Sequence, residues 1–168
     1  MLGLPRGEVF LVPWSEKWVS EFERERRRIQ GVLGSGLKVH HIGSTSVKGL
    51  KAKPVIDIAV EIENFSDGEK FAQLIEVLGY SYKGTNILPG RHYFNKGEPR
   101  THQIHMYQKG SQYLIEQLKF CDHLRSNEQD RKNYERLKIQ LTQQNNQDKH
   151  QYAEDKTEFV MEVLRKIL

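Results

Sequence analysis

Apolar residues recur along this chain at two different periods, and the switches between them mark the elements. Glu8 to Val12 reads as a short strand. Ser15 reads as a helix N-cap, and Trp18, Phe22 and Ile29 then repeat at helical spacing to about Leu33, where Gly34, Ser35 and Gly36 stop the helix. Lys38 to Ile42 reads as a strand that ends in the polar turn Gly43-Ser44-Thr45-Ser46. The clearest strand is Pro54 to Ile62, rich in Val and Ile with turn residues on both sides. A helix over Ser66 to Leu78 ends at Gly79, and strands follow near Gly90 to Phe94 and Thr101 to Tyr107.

The remainder is helical. Ser111 can cap a helix bearing Leu114, Leu118 and Cys121, and Ser126 with Gln129 forms a capping box ahead of Tyr134, Leu137 and Leu141. Asp148 opens a further helix with Tyr152, Phe159, Val163 and Ile167 on one face. Helix, strands, helix, strands and then helices predict an α+β fold: a mixed β-sheet with packed helices and a helical C-terminal extension. The apolar faces of that extension are expected to cover the sheet, with a homodimer surface as the alternative.

Composition narrows the classes. The 168 residues fit a single domain, and 37% hydrophobic with 29% charged residues gives a modest core under a polar shell. The longest apolar runs, Val9 to Pro13 and Pro54 to Val60, fall far short of the roughly 20 residues a bilayer requires. The first residues lack the apolar stretch of a signal peptide, so a cytoplasmic location and no membrane contact are expected. The lone Cys121 excludes an internal disulfide framework and falls on an apolar stripe, as a core residue would. A net charge of +4 fits an anionic partner or simple solubility. Basic and acidic residues alternate, so nucleic acid is not the expected partner. The run Arg24, Arg26, Arg27 and Arg28, broken by Glu25, reads as a solvated helix face.

The chemistry concentrates at Gly43-Ser44-Thr45-Ser46 and at Asp57. A glycine after a strand lets backbone approach a ligand closely, and hydroxyls with free N–H groups beyond it bind phosphate oxygens. Asp57 lies in an apolar strand, where an unpaired carboxylate is costly. It either holds a cation or accepts hydrogen bonds from the Gly-Ser turn and fixes it.

The stretch His41-Ile42-Gly43-Ser44-Thr45-Ser46-Val47, with Gly49-Leu50, Ala52-Lys53-Pro54 and Ile56-Asp57-Ile58, closely resembles the GrpB family, which is placed with the nucleotidyltransferases of the DNA polymerase beta type. Val12-Pro13, Trp18 and the segment Arg100 to His105 extend the resemblance over nearly the whole chain. It implies a nucleotidyltransferase-type sheet, with Gly43 and Ser44 positioning a phosphate and Asp57 as the first metal-binding acid. Relatives fused to dephospho-CoA kinase hint at nucleotide or cofactor metabolism.

The family pattern breaks at Ala59, where the second acid of active transferases stands. Residues i and i+2 of a strand share a face roughly 6.6 Å apart, close enough for two carboxylates to converge on one ion. Glu61 shares that face but lies roughly 13 Å from Asp57, too far to replace the missing acid. His41 and His105 are the candidates to complete a metal site with Asp57, for Mg²⁺, Mn²⁺ or Zn²⁺. His102 falls on the opposite face from His105 and reads as half-buried. Lys53, Arg91 and Arg100 are candidate phosphate ligands, each with an ordinary surface role as the alternative. Three functions remain open: binding of a nucleotide or other phosphate-containing small molecule with metal-dependent nucleotidyl transfer at Asp57, a non-catalytic nucleotide- or protein-binding regulator, and a metal-dependent hydrolase.

Overall fold

The computed structural model describes residues 1–145 and 148–168. Its helices are α1 (Lys17–Leu33), α2 (Gly68–Glu76), α3 (Gln112–Ser126), α4 (Glu128–Gln144) and α5 (Lys149–Ile167). Its strands are β1 (Val39–Ile42), β2 (Ile56–Ile62), β3 (Ser81–Gly84), β4 (Arg91–Lys96) and β5 (His102–Gln108), in one sheet of order β1-β2-β5-β4-β3. Only β2 and β5 run parallel; every other neighbouring pair is antiparallel. The α+β mixed sheet is the architecture that the hydrophobic pattern predicts.

One face of β2 is wholly apolar because it is fully covered. Ile56, Ile58, Val60 and Ile62 point into the main core with Trp18, Phe22 and Ile29 of α1, Ile75 of α2, Phe94 of β4, and Ile104 and Met106 of β5. The other face carries Asp57, Ala59 and Glu61, and the bundle of α3, α4 and α5 packs toward it. That bundle closes over Val47 and Leu50 with Phe120, Leu124, Tyr134, Val163 and Leu164. The site lies between this bundle and the sheet.

Four local expectations need correction. Glu8 to Val12 forms no strand: the N-terminal segment makes single bridges at Leu4–Arg100 and Val12–Ala52. Val9 is buried against Leu141 and Tyr152, so its apolar pattern serves the helices instead of a sheet edge. β3 was missed because an edge strand with exposed Ser81 and Lys83 carries little periodic signal. The capping box does not form. Ser126 ends α3, and the Asn127 side chain accepts the Asp130 N–H at 2.9 Å. Finally, Glu25 on the basic face of α1 is fully buried, accepting from Arg28 at 2.7 Å, from Tyr80 Oη at 3.0 Å and from Lys96. The neighbouring pairs Arg24–Glu21 and Arg26–Glu23 do lie along the helix surface. No helix among the described residues is long and apolar enough to cross a membrane.

Candidate functional site

β1 pairs with β2 so that Ile42 lies opposite Asp57, and the chain leaves β1 at Gly43 directly over that carboxylate. Gly43 has φ of 72°, and a Cβ there would sit 2.8 Å from Asp57 Oδ2. Only glycine meets both demands. The turn that follows is clamped from several directions. Ser46 Oγ donates to the Gly43 carbonyl at 2.6 Å, and Arg125 donates to the Ser46 carbonyl and hydroxyl, each at 3.1 Å. Trp14 Nε1 donates to the Thr45 carbonyl at 3.0 Å, and the Thr45 hydroxyl is engaged by His41 Nε2 at 2.9 Å.

Asp57 is held from the side by β5. His105 lies opposite Ala59, and its Nε2 reaches back to Asp57 Oδ1 at 2.9 Å. Arg91 Nη1 donates to His105 Nδ1 at 3.0 Å. A guanidinium can only donate, so Nδ1 is the acceptor and Nε2 carries the proton given to Asp57. Both ring nitrogens are therefore committed, and His105 has no lone pair left for a metal. Burial pushes the Asp57 carboxyl upward, but the His105 hydrogen bond and the nearby charges of Lys53 and Lys156 outweigh it and hold the group below its ordinary value. Asp57 is deep in the chain, yet 27% of its side chain stays open.

His41 is not part of this arrangement. Its register partner is Ile58, so it faces the main core, where it stacks on Phe22 at 4.7 Å. Burial lowers its pKa to about 4, leaving it neutral at ordinary pH. Glu61 is taken by His40 Nε2 at 2.7 Å. Ala59 is fully buried between Asp57 and His105 and supplies no ligand atom. Among the described residues no group of three His, Cys, Asp or Glu side chains is placed to hold a metal ion. The residues present do not fit the paired-acid clamp that the resemblance implies.

What Asp57 and the turn do face is a cavity of about 250 Å³ roofed by α3, α4 and α5. Phe120, Leu124, Tyr134 and Val160 form its apolar wall, and Gly43, Ser44, Thr45 and Asp57 its polar floor. Three lysines line it against that one carboxylate: Lys53, Lys138 and Lys156. Lys138 is 2% exposed, and its Nζ donates to Ser44 Oγ and to the Lys51 carbonyl, both at 2.7 Å. It sits 5.1 Å from the Tyr134 ring, while Lys53 and Lys156 each lie 5.2 Å from the Tyr152 ring. Burial drives the Lys138 ammonium well below its usual pKa, and the charges of Lys156 and Lys53 push the same way.

Of the expected phosphate ligands, Gly43, Ser44, Thr45 and Lys53 line this cavity, although the Thr45 hydroxyl points to His41. Ser46 is outside it, tied into its own turn. Arg91 and Arg100 lie together in an adjoining cleft. Sequence reasoning missed Lys138 and Lys156. The signal was present: Lys138 follows Tyr134 by four residues, which places a lysine on the apolar stripe of α4.

A family model described as "GrpB protein" matches residues 8–166. The UPF0157 protein YqkA of Bacillus subtilis is 37% identical over 158 residues, 93% of this chain and 46% of that protein. The chain thus spans about half the length of that relative. The crystal structure of conserved protein GrpB from Enterococcus faecalis superposes with a TM-score of 0.85 at 35% identity, covering 94% of this chain and 98% of that one. A structure of the Cid1 poly(U) polymerase, with MgGTP bound, shares the fold at a TM-score of 0.54 and 11% identity, over 78% of this chain and 44% of that one.

Proposed function

The chain belongs to the GrpB family, and from that premise we propose that it binds a nucleotide or closely related phosphate-containing small molecule on a nucleotidyltransferase-like scaffold. The reading rests above all on one observation: Lys138, buried and with no carboxylate in hydrogen-bond reach among the described residues, meets Ser44 at the wall of a cavity that Lys156 also lines. A buried ammonium surrounded by other cations is costly, and an anion in the cavity removes that cost. In this arrangement Ser44 and the lysines hold the phosphate. Asp57, ionised and open to the cavity, accepts from a hydroxyl such as that of a sugar. Phe120 and Tyr134 cover the apolar part of the ligand.

Ala59 and the fully engaged His105 favour a binding protein over a transferase or a metal-dependent hydrolase. The paired acids of a two-ion mechanism are missing, and neither His41 nor His105 presents a free nitrogen beside Asp57. Fixed ammonium groups take the place that divalent ions hold in phosphoryl-transfer sites.

A thermal-shift screen of nucleoside mono-, di- and triphosphates tests the reading, run with EDTA and again with Mg²⁺, Mn²⁺ or Zn²⁺. Stabilisation of about 2.7 kcal/mol is expected at a hundredfold excess over Kd. It should persist in EDTA and be lost in Lys138→Met. A screen in which no phosphate compound stabilises the wild type sinks the reading, and a shift that appears only with metal restores the transferase.

A further inference from the structure

Next to the cavity lies an open cleft of about 630 Å³. Lys53, Val55 and Gln103 line both spaces, so the two adjoin along these side chains. The cavity alone falls below the roughly 300–1,000 Å³ of small-molecule sites, and the cleft brings the combined space into that range. Arg6, Lys83, Arg91 and Arg100 line the cleft, with Glu98 as the one carboxylate there among the described residues. None of these four cations is in an ion pair among the described residues, whereas most basic residues of α1 and Lys132 of α4 are paired within their helices. They come from the N-terminal segment, β3, β4 and the β4–β5 turn, so the fold, and not a helical repeat, gathers them. Arg91 lies 4.8 Å from the Tyr93 ring and is fixed by its bond to His105, yet its Nε is buried without a hydrogen-bond partner. Like charges lining one cleft repel unless an anion lies among them.

We infer that this cleft is a second anion subsite, and that the ligand is a small molecule with a phosphate at each end, of the nucleoside 3′,5′-bisphosphate type. One phosphate sits in the cavity and the other among Arg6, Arg91 and Arg100. The inference rests on the reading of the cavity as a phosphate site. A single-stranded nucleic acid fits the cleft less well. Such strands are held by successive exposed aromatic rings, whereas the aromatic ring of this cleft, Tyr93, is buried and covered by Arg91.

Calorimetric titration tests this with the 5′-monophosphates and the 3′,5′-bisphosphates of the four common nucleosides, and with a 5′-phosphorylated ten-nucleotide DNA strand. At least one bisphosphate should bind tenfold or more tighter than its monophosphate. The double variant Arg6→Ala/Arg100→Ala should erase that gain and leave monophosphate binding intact. Arg6 is exposed and Arg100 half-buried, and Lys83→Glu, at an exposed position, gives a second variant with the same expected direction. Equal affinity for the two ligand types, or a gain that survives both variants, overturns the second subsite while the cavity reading stands. Tighter binding of the DNA strand than of every bisphosphate overturns the small-molecule assignment. Failure of every monophosphate to bind overturns the cavity reading itself.

Discussion

Glu25 and Lys138 are both sealed inside the protein, on opposite faces of one sheet, and the chain treats them in opposite ways. Glu25 is fully neutralised: Arg28, Tyr80 and Lys96 all donate to it. Burial pushes its pKa up, but the Lys96 hydrogen bond and charge, with Arg28, prevail and hold it below its ordinary value. Lys138 receives two neutral oxygens and two neighbouring cations, with Glu135 alone acting in its favour at longer range. The first face has no use for a ligand, and its charge is architecture. The second face retains a cavity and an uncompensated charge. A buried charge that its neighbours satisfy ties elements together; one that they leave unsatisfied marks where a ligand goes.

The comparison can be broken from either side. The largest effect is expected at Glu25→Ala, which strands Lys96 and the Tyr80 hydroxyl. A loss of about 3–5 kcal/mol should appear in denaturant unfolding. Because the folded pKa of Glu25 is lowered, the stability it contributes is full above its ordinary value of 4.5 and disappears as pH falls through the folded value. Glu25→Gln with Lys96→Met should recover much of the loss.

Lys138→Met should weaken phosphate-ligand binding about 10- to 100-fold, or roughly 1.4–2.8 kcal/mol, while leaving unfolding stability near wild type. The pH dependence has a definite sign. The unfolded chain binds the Lys138 proton below its ordinary value of 10.5 while the folded chain resists it, so wild-type stability falls as pH drops from there toward the lowered folded pKa. Unfolding curves between pH 7 and pH 10.5 should show a shallower slope for Lys138→Met.

His105→Ala frees one Asp57 oxygen and removes the acceptor for Arg91, with an expected cost of about 1–2 kcal/mol. The Asp57 carboxyl pKa should rise toward its ordinary value, as read by NMR titration. Ala59→Asp is the sharpest test of the missing clamp, and its response to metal is the smallest effect expected. It should lower stability on its own and gain about 1 kcal/mol more from Mn²⁺ at five times Kd than the wild type does. A wild type that responds to Mn²⁺ as strongly as Ala59→Asp contradicts the donor-set argument.

The fold was largely legible because its central elements carry strong periodic signals. The pattern at Pro54 to Ile62 and the Trp18, Phe22 and Ile29 stripe place β2 and α1 within two residues of where they lie. The Gly43–Asp57 meeting was legible too, since a glycine after one strand and an acid in the next have few other uses. The faces were harder. His41 was grouped with Asp57 on proximity in sequence, but antiparallel pairing with Ile58 turns it to the other side. Lys138 and Glu25 were hard to read for one reason: a helix stripe can mark the position of an isolated charge, but whether that charge is buried, and against what, depends on the partner elements. Lys138 meets Ser44 across 94 positions of chain and Glu25 meets Lys96 across 71. No local pattern encodes such distances.

The claim on which most depends is that Lys138 and its neighbours await an anion without help from metal. Calorimetric titration of pyrophosphate into the wild type and into Lys138→Met, in EDTA, addresses it directly. The account predicts saturable binding to the wild type, and binding at least tenfold weaker in the variant. Equal affinities in the two proteins, or no saturable heat from the wild type, contradict it.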